Sequence, residues 1–477
     1  LYGIQYGSEV MVNYYGNEIT WVPKLEEPNK PIYILIVESI EKDIKDGKLK
    51  GGFKLPPQRI IANYLGINHS TVTRAYKLCE ERGLIKGVIG KGTFVSSTAG
   101  VPADLLSDYK DNNIIEMGMT LPLYEVNKLI ETNISELFNS FDYDITLKYS
   151  PPEGHIKHRY IASKWLEQYK INITPDDIII TSGSQNALAV ILISLFNKGD
   201  RIIVDEFTYT GLKSLAKLLG IILIPVKGDH FGIDIEELKK TCKRENAKGI
   251  YLIPDCHNPT SITLSEEKRQ IISEIITKYN LLLIEDGTFS FSVEEKLKPM
   301  SSLIPNNSIY IHGTSKALNP TFRISYIVSP PSYIKQLQHC VYNLTWMPSP
   351  FTSELVSLLQ TTSKYNEIVD AKLKILKERN KILDTTLNEY NVLPSNTSLF
   401  RYLILPNKWN DTNIERLCLE SGTQVFSSKR FSIGTDTHHN AIRISVSAPK
   451  SSDELKKGLQ ILKDILTSYE YRFEPIL

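Results

Sequence analysis

The sequence predicts a multidomain chain. A small helix-turn-helix head with a β-hairpin wing comes first, then a large α/β body on a largely parallel sheet, then an α+β appendage. Three observations predict it: positive charge gathers near the start, short β-rich runs alternate with helical patterns through the middle, and that alternation ends after Pro350. The 477 residues, 42% hydrophobic and 23% charged, have a globular balance and roughly three domains' length at about 150 residues each. Disorder and a disulfide-stapled miniprotein are thereby excluded.

The head is read at residues 29–96. The chain carries 55 basic and 54 acidic residues, a net +1 that by itself argues against nucleic acid. Its distribution argues the other way: Lys48–Val95 holds nine Lys and Arg against two Glu, so this segment is +7 and the remainder −6. Within Pro31–Asp46, Ile32, Leu35, Ile36, Ile40 and Ile44 recur near the 3.6 period of an amphipathic helix. Pro56–Leu65 predicts a second helix with prolines in its first turn, broken by Gly66. A third begins near His69, capped by Asn68 or Ser70, with Val72, Ala75, Tyr76 and Cys79 facing inward. Leu84–Val88 and Thr93–Val95 flank the basic tip Gly90-Lys91-Gly92, a wing. Two helices joined by a short Gly-containing turn place the second in the major groove of double-stranded DNA. His69, Ser70, Thr73, Arg74 and Lys77 then face base edges or phosphates, and Lys54, Arg59 and Lys91 neutralise phosphates. A basic helix pair also suits a solvated protein-binding face; the wing, the turn spacing and the local charge together favour DNA.

Residues 97–113, polar and without period, read as a linker. The body is read at 114–477: a large part at about 145–345, and a small part at about 346–477 joined by 114–144. Strands are expected at Asp177–Thr181, Arg201–Asp205, Ile221–Val226, Gly249–Ile253, Leu281–Glu285 and Ile309–His312. Beyond Pro350 come a helix at about Lys364–Tyr390, strands at Leu399–Leu405 and Ala441–Val446, and a last helix near Ser452–Tyr469. The five cysteines are scattered, so neither a zinc site nor a disulfide framework is suggested. No metal is expected from the close pairs His155/His158 and His438/His439. The longest apolar runs reach half a membrane span, and the first residues lack a signal pattern, which points to a cytoplasmic protein without membrane contact. Met11 is read as a candidate natural start, with residues 1–10 as an addition.

Several body residues suggest chemistry. Thr181-Ser182-Gly183-Ser184-Gln185 leads from a strand into a helix, where exposed amides and hydroxyls make an anion cradle. Asp286 follows a strand of the parallel sheet, where a carboxylate can pair with a pyridinium nitrogen. Lys316 follows the Gly313-Thr314-Ser315 turn and can form a Schiff base with an aldehyde. Arg323, seven residues on, can clamp a phosphate.

The head resembles the GntR family of bacterial regulators over about Pro31–Val95, on Pro31, Tyr33, Gly47, Leu55-Pro56, Arg59, Ala62, Leu65-Gly66, Thr71-Val72, Ala75-Tyr76, Gly83-Leu84 and Gly90 through Val95. Pro57 and His69 depart from the usual Ser and Arg. The body resembles the fold-type I, class I aminotransferases over about Gly118–Tyr469. This resemblance implies pyridoxal 5′-phosphate as cofactor. It assigns Ser184, Gln185, Ser315 and Arg323 to the phosphate, and Tyr149, in a segment running to Gly154 with Arg159, to the phosphate of a neighbouring subunit. Tyr209 stacks on the ring, Asn258 bonds the ring oxygen, Asp286 meets the ring nitrogen, and Lys316 is the Schiff-base lysine. Thr288 is a cofactor contact in a place where a tyrosine is usual. Arg443 and Gly118 receive a substrate or effector carboxylate. Gly287 replaces a common acidic residue, Thr260-Ser261 a usual Thr-Gly, and Gly313 a common hydroxyl, for which Thr314 or Ser315 substitutes.

Head and body together resemble the MocR branch of the GntR regulators. That resemblance implies a homodimer with swapped heads, a promoter of two half-sites, and as effector either the cofactor itself or an amine or amino acid that displaces Lys316 to form an external aldimine. The departures fall on the chemistry rather than on the cradle, implying at most partial transaminase activity. The alternative is a working aminotransferase with an accessory DNA-binding head.

Overall fold

The computed structural model describes residues 20–25, 30–81, 84–88, 92–95, 114–229, 231–406, 409–434 and 440–471. Two units separate, Leu1–Asn112 and Asn113–Leu477. Residues 1–10, the whole of the 97–113 linker, Lys91 at the wing tip and His438/His439 lie outside the described residues.

In the first unit, α1 (Ile32–Lys45), α2 (Gln58–Leu65) and α3 (His69–Glu81) enclose a core of Ile36, Val37, Ile40, Ile61, Val72, Ala75, Tyr76 and Cys79. A fully buried aliphatic side chain of this kind stabilises by about 1.5–3 kcal/mol. Ile32, expected on that face, is 41% exposed; it is the first helical residue, and burial begins one turn later at Leu35. Pro57 stands at the N-cap of α2 rather than in its first turn, and Gly66 ends the helix at φ 63°. Asn68 is the cap of α3, its Oδ1 accepting from the Ser70 amide at 3.0 Å. The Tyr76 hydroxyl donates to the Pro56 carbonyl at 2.8 Å, tying α3 to the entry of α2. The wing is an antiparallel hairpin of β1 (Ile85–Val88) and β2 (Gly92–Val95), with Ile85 opposite Val95.

The second unit is built on a seven-stranded sheet. Its strands are β3 (Ile178–Thr181), β4 (Arg201–Asp205), β5 (Ile222–Val226), β6 (Gly249–Leu252), β7 (Leu282–Asp286), β8 (Ser308–Gly313) and β9 (Ser325–Val328). Their spatial order is β3-β9-β8-β7-β6-β4-β5. All run in one direction except β9, which is antiparallel to both neighbours. β3, β6, β7 and β8 are buried throughout, which is why apolar residues dominate both faces of each strand. The C-terminal ends of β3, β4, β7 and β8 lead into Ser182–Gln185, Glu206–Tyr209, Gly287–Thr288 and Thr314–Lys316, the edge where α/β sheets take ligands.

The appendage carries the long helix Lys364–Thr386 and a three-stranded antiparallel sheet. There β10 (Phe400–Ile404) and β11 (Phe426–Ser427) flank β12 (Ala441–Ser445), so Arg443 sits opposite Tyr402 on one side and Phe426 on the other. Ile115–Glu116 pairs in parallel with Thr423–Gln424, joining the start of the unit to the appendage. Among the described residues, no helix is long and apolar enough to cross a membrane.

Candidate functional site

The turn after β3 is shaped by Gly183, the N-cap of helix Ser184–Leu195, at φ 89°. A Cβ there would lie 2.6 Å from Arg323 Cζ, so only glycine lets the guanidinium cross this helix start. Arg323 donates to the Ser182 carbonyl at 3.0 Å and approaches the Ser315 hydroxyl at 3.5 Å. The Ser184 hydroxyl lies 3.1 Å from that of Thr288. One helix N-terminus, three hydroxyls and a guanidinium therefore converge, a donor set suited to a phosphate.

Several departures noted in the sequence find their cause here. A Cβ on Gly313 would collide with the Ser184 hydroxyl, and one on Gly287 would collide with the Tyr310 phenol. Thr314 does not replace the missing hydroxyl: its Oγ1 is buried and donates to the Ile324 carbonyl at 2.7 Å. Ser315 is the one that faces Arg323. Thr288 turns toward the anion cradle, and Phe289 beside it packs edge-on against Phe400. Ser261 adopts φ 62°, the left-handed region that explains why glycine is usual there.

Gln185 donates to the Gly211 carbonyl at 3.1 Å, while its Oε1 is buried without a hydrogen-bond partner. Tyr209, half-buried, is the N-cap of helix Thr210–Leu219, and a Cβ on Gly211 would strike both its ring and Gln185. Asp286, the last residue of β7, is buried. Its Oδ2 accepts from the Tyr251 hydroxyl at 2.8 Å and its Oδ1 from the Thr288 amide at 3.0 Å. Burial raises its pKa, opposed by the hydrogen bonds from Thr288 and Tyr251. Burial also holds the Tyr251 phenol far above its usual range, so it stays a donor. Tyr251 was not expected, because a lone tyrosine in an apolar strand reads as core.

Lys316 donates to the Thr120 carbonyl. Burial, then the charges of Arg443 and Arg323, push its pKa down to about 8. An amine so tuned is more often neutral, hence more nucleophilic, than a surface lysine. Arg443 is buried, donating from Nη1 to Asn258 Oδ1 at 2.7 Å and from Nη2 to the Gly118 carbonyl at 2.6 Å. Rings of Phe431, Phe400 and Phe426 lie 4.5, 5.4 and 5.6 Å from its Cζ. A Cβ on Gly118 would fall 2.6 Å from the Phe426 ring, so glycine permits this cage.

Tyr149 stands apart from these groups. It is 83% exposed, its ring 6.2 Å from that of Trp346. Arg159 is buried and donates to the Gly154 carbonyl at 3.1 Å, holding the end of the tyrosine segment, and it pairs with Asp176 at 3.4 Å and Glu153 at 3.9 Å. His158 bonds Glu354 at 2.7 Å inside the fold.

On the head, Lys54, Arg59, His69, Ser70, Thr73, Arg74 and Lys77 are all exposed. Thr73 Oγ1 donates to Gln58 Oε1 at 2.8 Å and to the His69 carbonyl at 3.0 Å. The Arg74 guanidinium stacks on Tyr33, its Cζ 4.0 Å from the ring centre. Lys54 lies beside the wing, its Nζ 6.0 Å from the Phe94 ring centre.

Two families match the chain. The bacterial regulatory proteins of the gntR family match residues 33–95. Aminotransferase class I and II matches residues 113–462. The chain belongs to the class I and II aminotransferase family, with a GntR head. The uncharacterized HTH-type transcriptional regulator YdeF of Bacillus subtilis (strain 168) is 36% identical over 448 residues, covering 94% of this chain and 97% of the relative. The uncharacterized HTH-type transcriptional regulator YjiR of Escherichia coli (strain K12) is 23% identical, covering 87% and 94%. Among solved structures, Pyrococcus horikoshii kynurenine aminotransferase superposes on the body with a TM-score of 0.71 and 22% identity, covering 77% of this chain and 94% of that one. The GntR head is thus fused to a body with the fold-type I aminotransferase architecture.

Proposed function

We propose that this chain is a transcription regulator whose body holds pyridoxal 5′-phosphate and receives an amine or amino-acid effector, while its head binds promoter DNA. The carrying observation is that one chain presents an exposed cationic recognition helix and, beside an anion cradle, a half-buried Lys316 with buried Asp286 and Arg443. Residues 29–96 form the DNA-binding domain, 97–113 the linker, and 114–477 the effector and dimerisation domain.

The residues present fit the cofactor. Ser184, Gln185, Ser315 and Arg323 would hold its phosphate, and the two glycines that admit Arg323 and Tyr209 suit a cradle. Tyr209 would cover the ring, Asn258 and Thr288 its polar edge, Asp286 its nitrogen and Lys316 its aldehyde. Bound there, the cofactor supplies an electrophilic carbon that captures primary amines. Asp286, fixed by Tyr251 and Thr288, holds a proton on a facing ring nitrogen. Lys316 would offer its amine and could hold a proton at Nζ. Arg443, already oriented by Asn258 and Gly118 and screened from water by three rings, grips a carboxylate in one direction.

The chain acts as a homodimer in the cytoplasm, with heads swapped between copies. Exposed Tyr143, Leu147, Tyr149, Tyr160 and Trp346 support that contact, and Tyr149 would serve the phosphate site of a second copy. An effector shifts conformation only through unequal affinity for two states. Occupancy of the body re-spaces the two heads on their half-sites.

A second reading, a working aminotransferase, is favoured by the completeness of the Lys316, Asp286 and Arg443 set. Mixing the cofactor-loaded protein with a panel of amino acids and keto acids separates the two. The regulator reading expects spectral changes without sustained turnover; steady transamination of order 1 s⁻¹ or more overturns it.

A further inference from the structure

Lys372 lies midway along helix Lys364–Thr386, within the hydrophobic interior, only 1% exposed. Its helical neighbours on the buried face are Ile368, Val369, Leu376 and Arg379. Among the described residues, no carboxylate lies within ion-pair distance of its ammonium. Its Nζ instead donates to two main-chain carbonyls, those of Lys316, at 3.2 Å, and Leu318. A buried ammonium without a counter-ion costs several kcal/mol relative to an apolar side chain of equal volume. A leucine or methionine would fill the same space on this helix face, so packing alone does not account for a lysine.

What the amine touches does account for it. The carbonyls of Lys316 and Leu318 belong to the turn that carries the nucleophilic amine out of β8. That turn is otherwise held by Leu318 N donating to the Thr314 carbonyl at 2.8 Å and by Thr314 Oγ1 on Ile324. Lys372 closes its remaining side, so the Lys316 side chain can swing from a fixed base. Burial, then the charge of Lys316, pushes Lys372 down to about 7. Charged or neutral, its amine keeps N–H groups enough for both carbonyls.

We infer that Lys372 is a positioning residue for Lys316, pinning the main chain of the turn from which the Lys316 amine is presented. This deepens the cofactor reading above, and its first test does not need the cofactor. In the cofactor-free full-length protein, hydrogen–deuterium exchange of the peptide carrying Thr314–Leu318 is followed by mass spectrometry. In Lys372→Met, which removes the donor to the Lys316 and Leu318 carbonyls, that peptide should exchange about tenfold faster, while peptides elsewhere keep their rates. Lys372→Gln, which is neutral and retains an amide donor, should restore slow exchange. The second readout is the cofactor dissociation constant, expected to rise about tenfold in Lys372→Met, as when an orienting outer-shell partner is lost. Should Lys372→Met be insoluble, Lys372→Leu takes its place with the same expected outcome. Wild-type exchange of the turn in a folded Met or Leu variant overturns the inference, as does exchange quickened equally along the whole of helix Lys364–Thr386, which marks a loss of packing only. If no form binds pyridoxal phosphate yet exchange of the turn still quickens, the cofactor reading fails while the pinning of the turn stands.

Discussion

Replacing Gly183 by alanine tests the anion cradle at its narrowest point. The glycine is at φ 89°, and the added Cβ would lie 2.6 Å from Arg323 Cζ. Arg323 would have to leave, breaking its 3.0 Å bond to the Ser182 carbonyl and withdrawing its charge from the start of helix Ser184–Leu195. A hydrogen bond to a charged partner contributes about 1.5–3 kcal/mol. Its loss weakens binding of a phosphorylated cofactor by about 10- to 150-fold. Alanine at positive φ adds backbone strain of about 1–2 kcal/mol whatever its neighbours. Gly199 supplies the control: it has φ 92° and nothing within 4 Å of a Cβ. Pyridoxal phosphate is titrated by absorbance into both variants, and both are melted without cofactor. Both should lose similar stability, but only Gly183→Ala should lose affinity. Wild-type affinity in Gly183→Ala, or an equal loss in Gly199→Ala, would refute the cradle.

Three further outcomes follow from the same geometry. Lys316→Ala should abolish borohydride trapping of the cofactor on the chain; trapped cofactor on another lysine would show the assignment wrong. Burial raises the pKa of Asp286, so its charged form costs the cofactor-free fold stability as pH rises through the native-state value. Asp286→Asn should therefore melt higher than wild type at about pH 8, the gain vanishing below about pH 4, while cofactor affinity falls. A variant less stable than wild type at the higher pH would contradict this. Arg74→Ala should weaken DNA binding and reduce the slope of log affinity against log salt by about one, if the stacked guanidinium neutralises one phosphate. An unchanged slope removes Arg74 from the interface.

Local periodicity made much of this legible. The inner face of α3, Val72, Ala75, Tyr76 and Cys79, is buried as its 3.6-residue spacing requires, and β4 runs over Arg201–Asp205 as expected. β9 went unseen because Ser-Tyr-Ile-Val is too short to show a period, and its antiparallel direction is set by its place between β8 and β3. The places of Asp286, Lys316 and Arg323 were legible because Asp286 ends a strand of recognisable composition and the other two come after one. Tyr251 and Lys372 were not. A tyrosine inside an apolar strand and a lysine on an amphipathic helix look like core and solvent face, and only the fold shows what their polar atoms touch. Ile32 failed the other way: period alone does not tell where a core ends.

The central claim is that occupancy of the body changes how the heads hold DNA. Fluorescence anisotropy of the chain's own upstream DNA, titrated at fixed salt with and without pyridoxal phosphate and a panel of amines, measures this directly. The account predicts saturable, sequence-specific binding whose midpoint moves when the cofactor or one of the amines is added. No binding in any state, or binding indifferent to cofactor and to every amine, contradicts it.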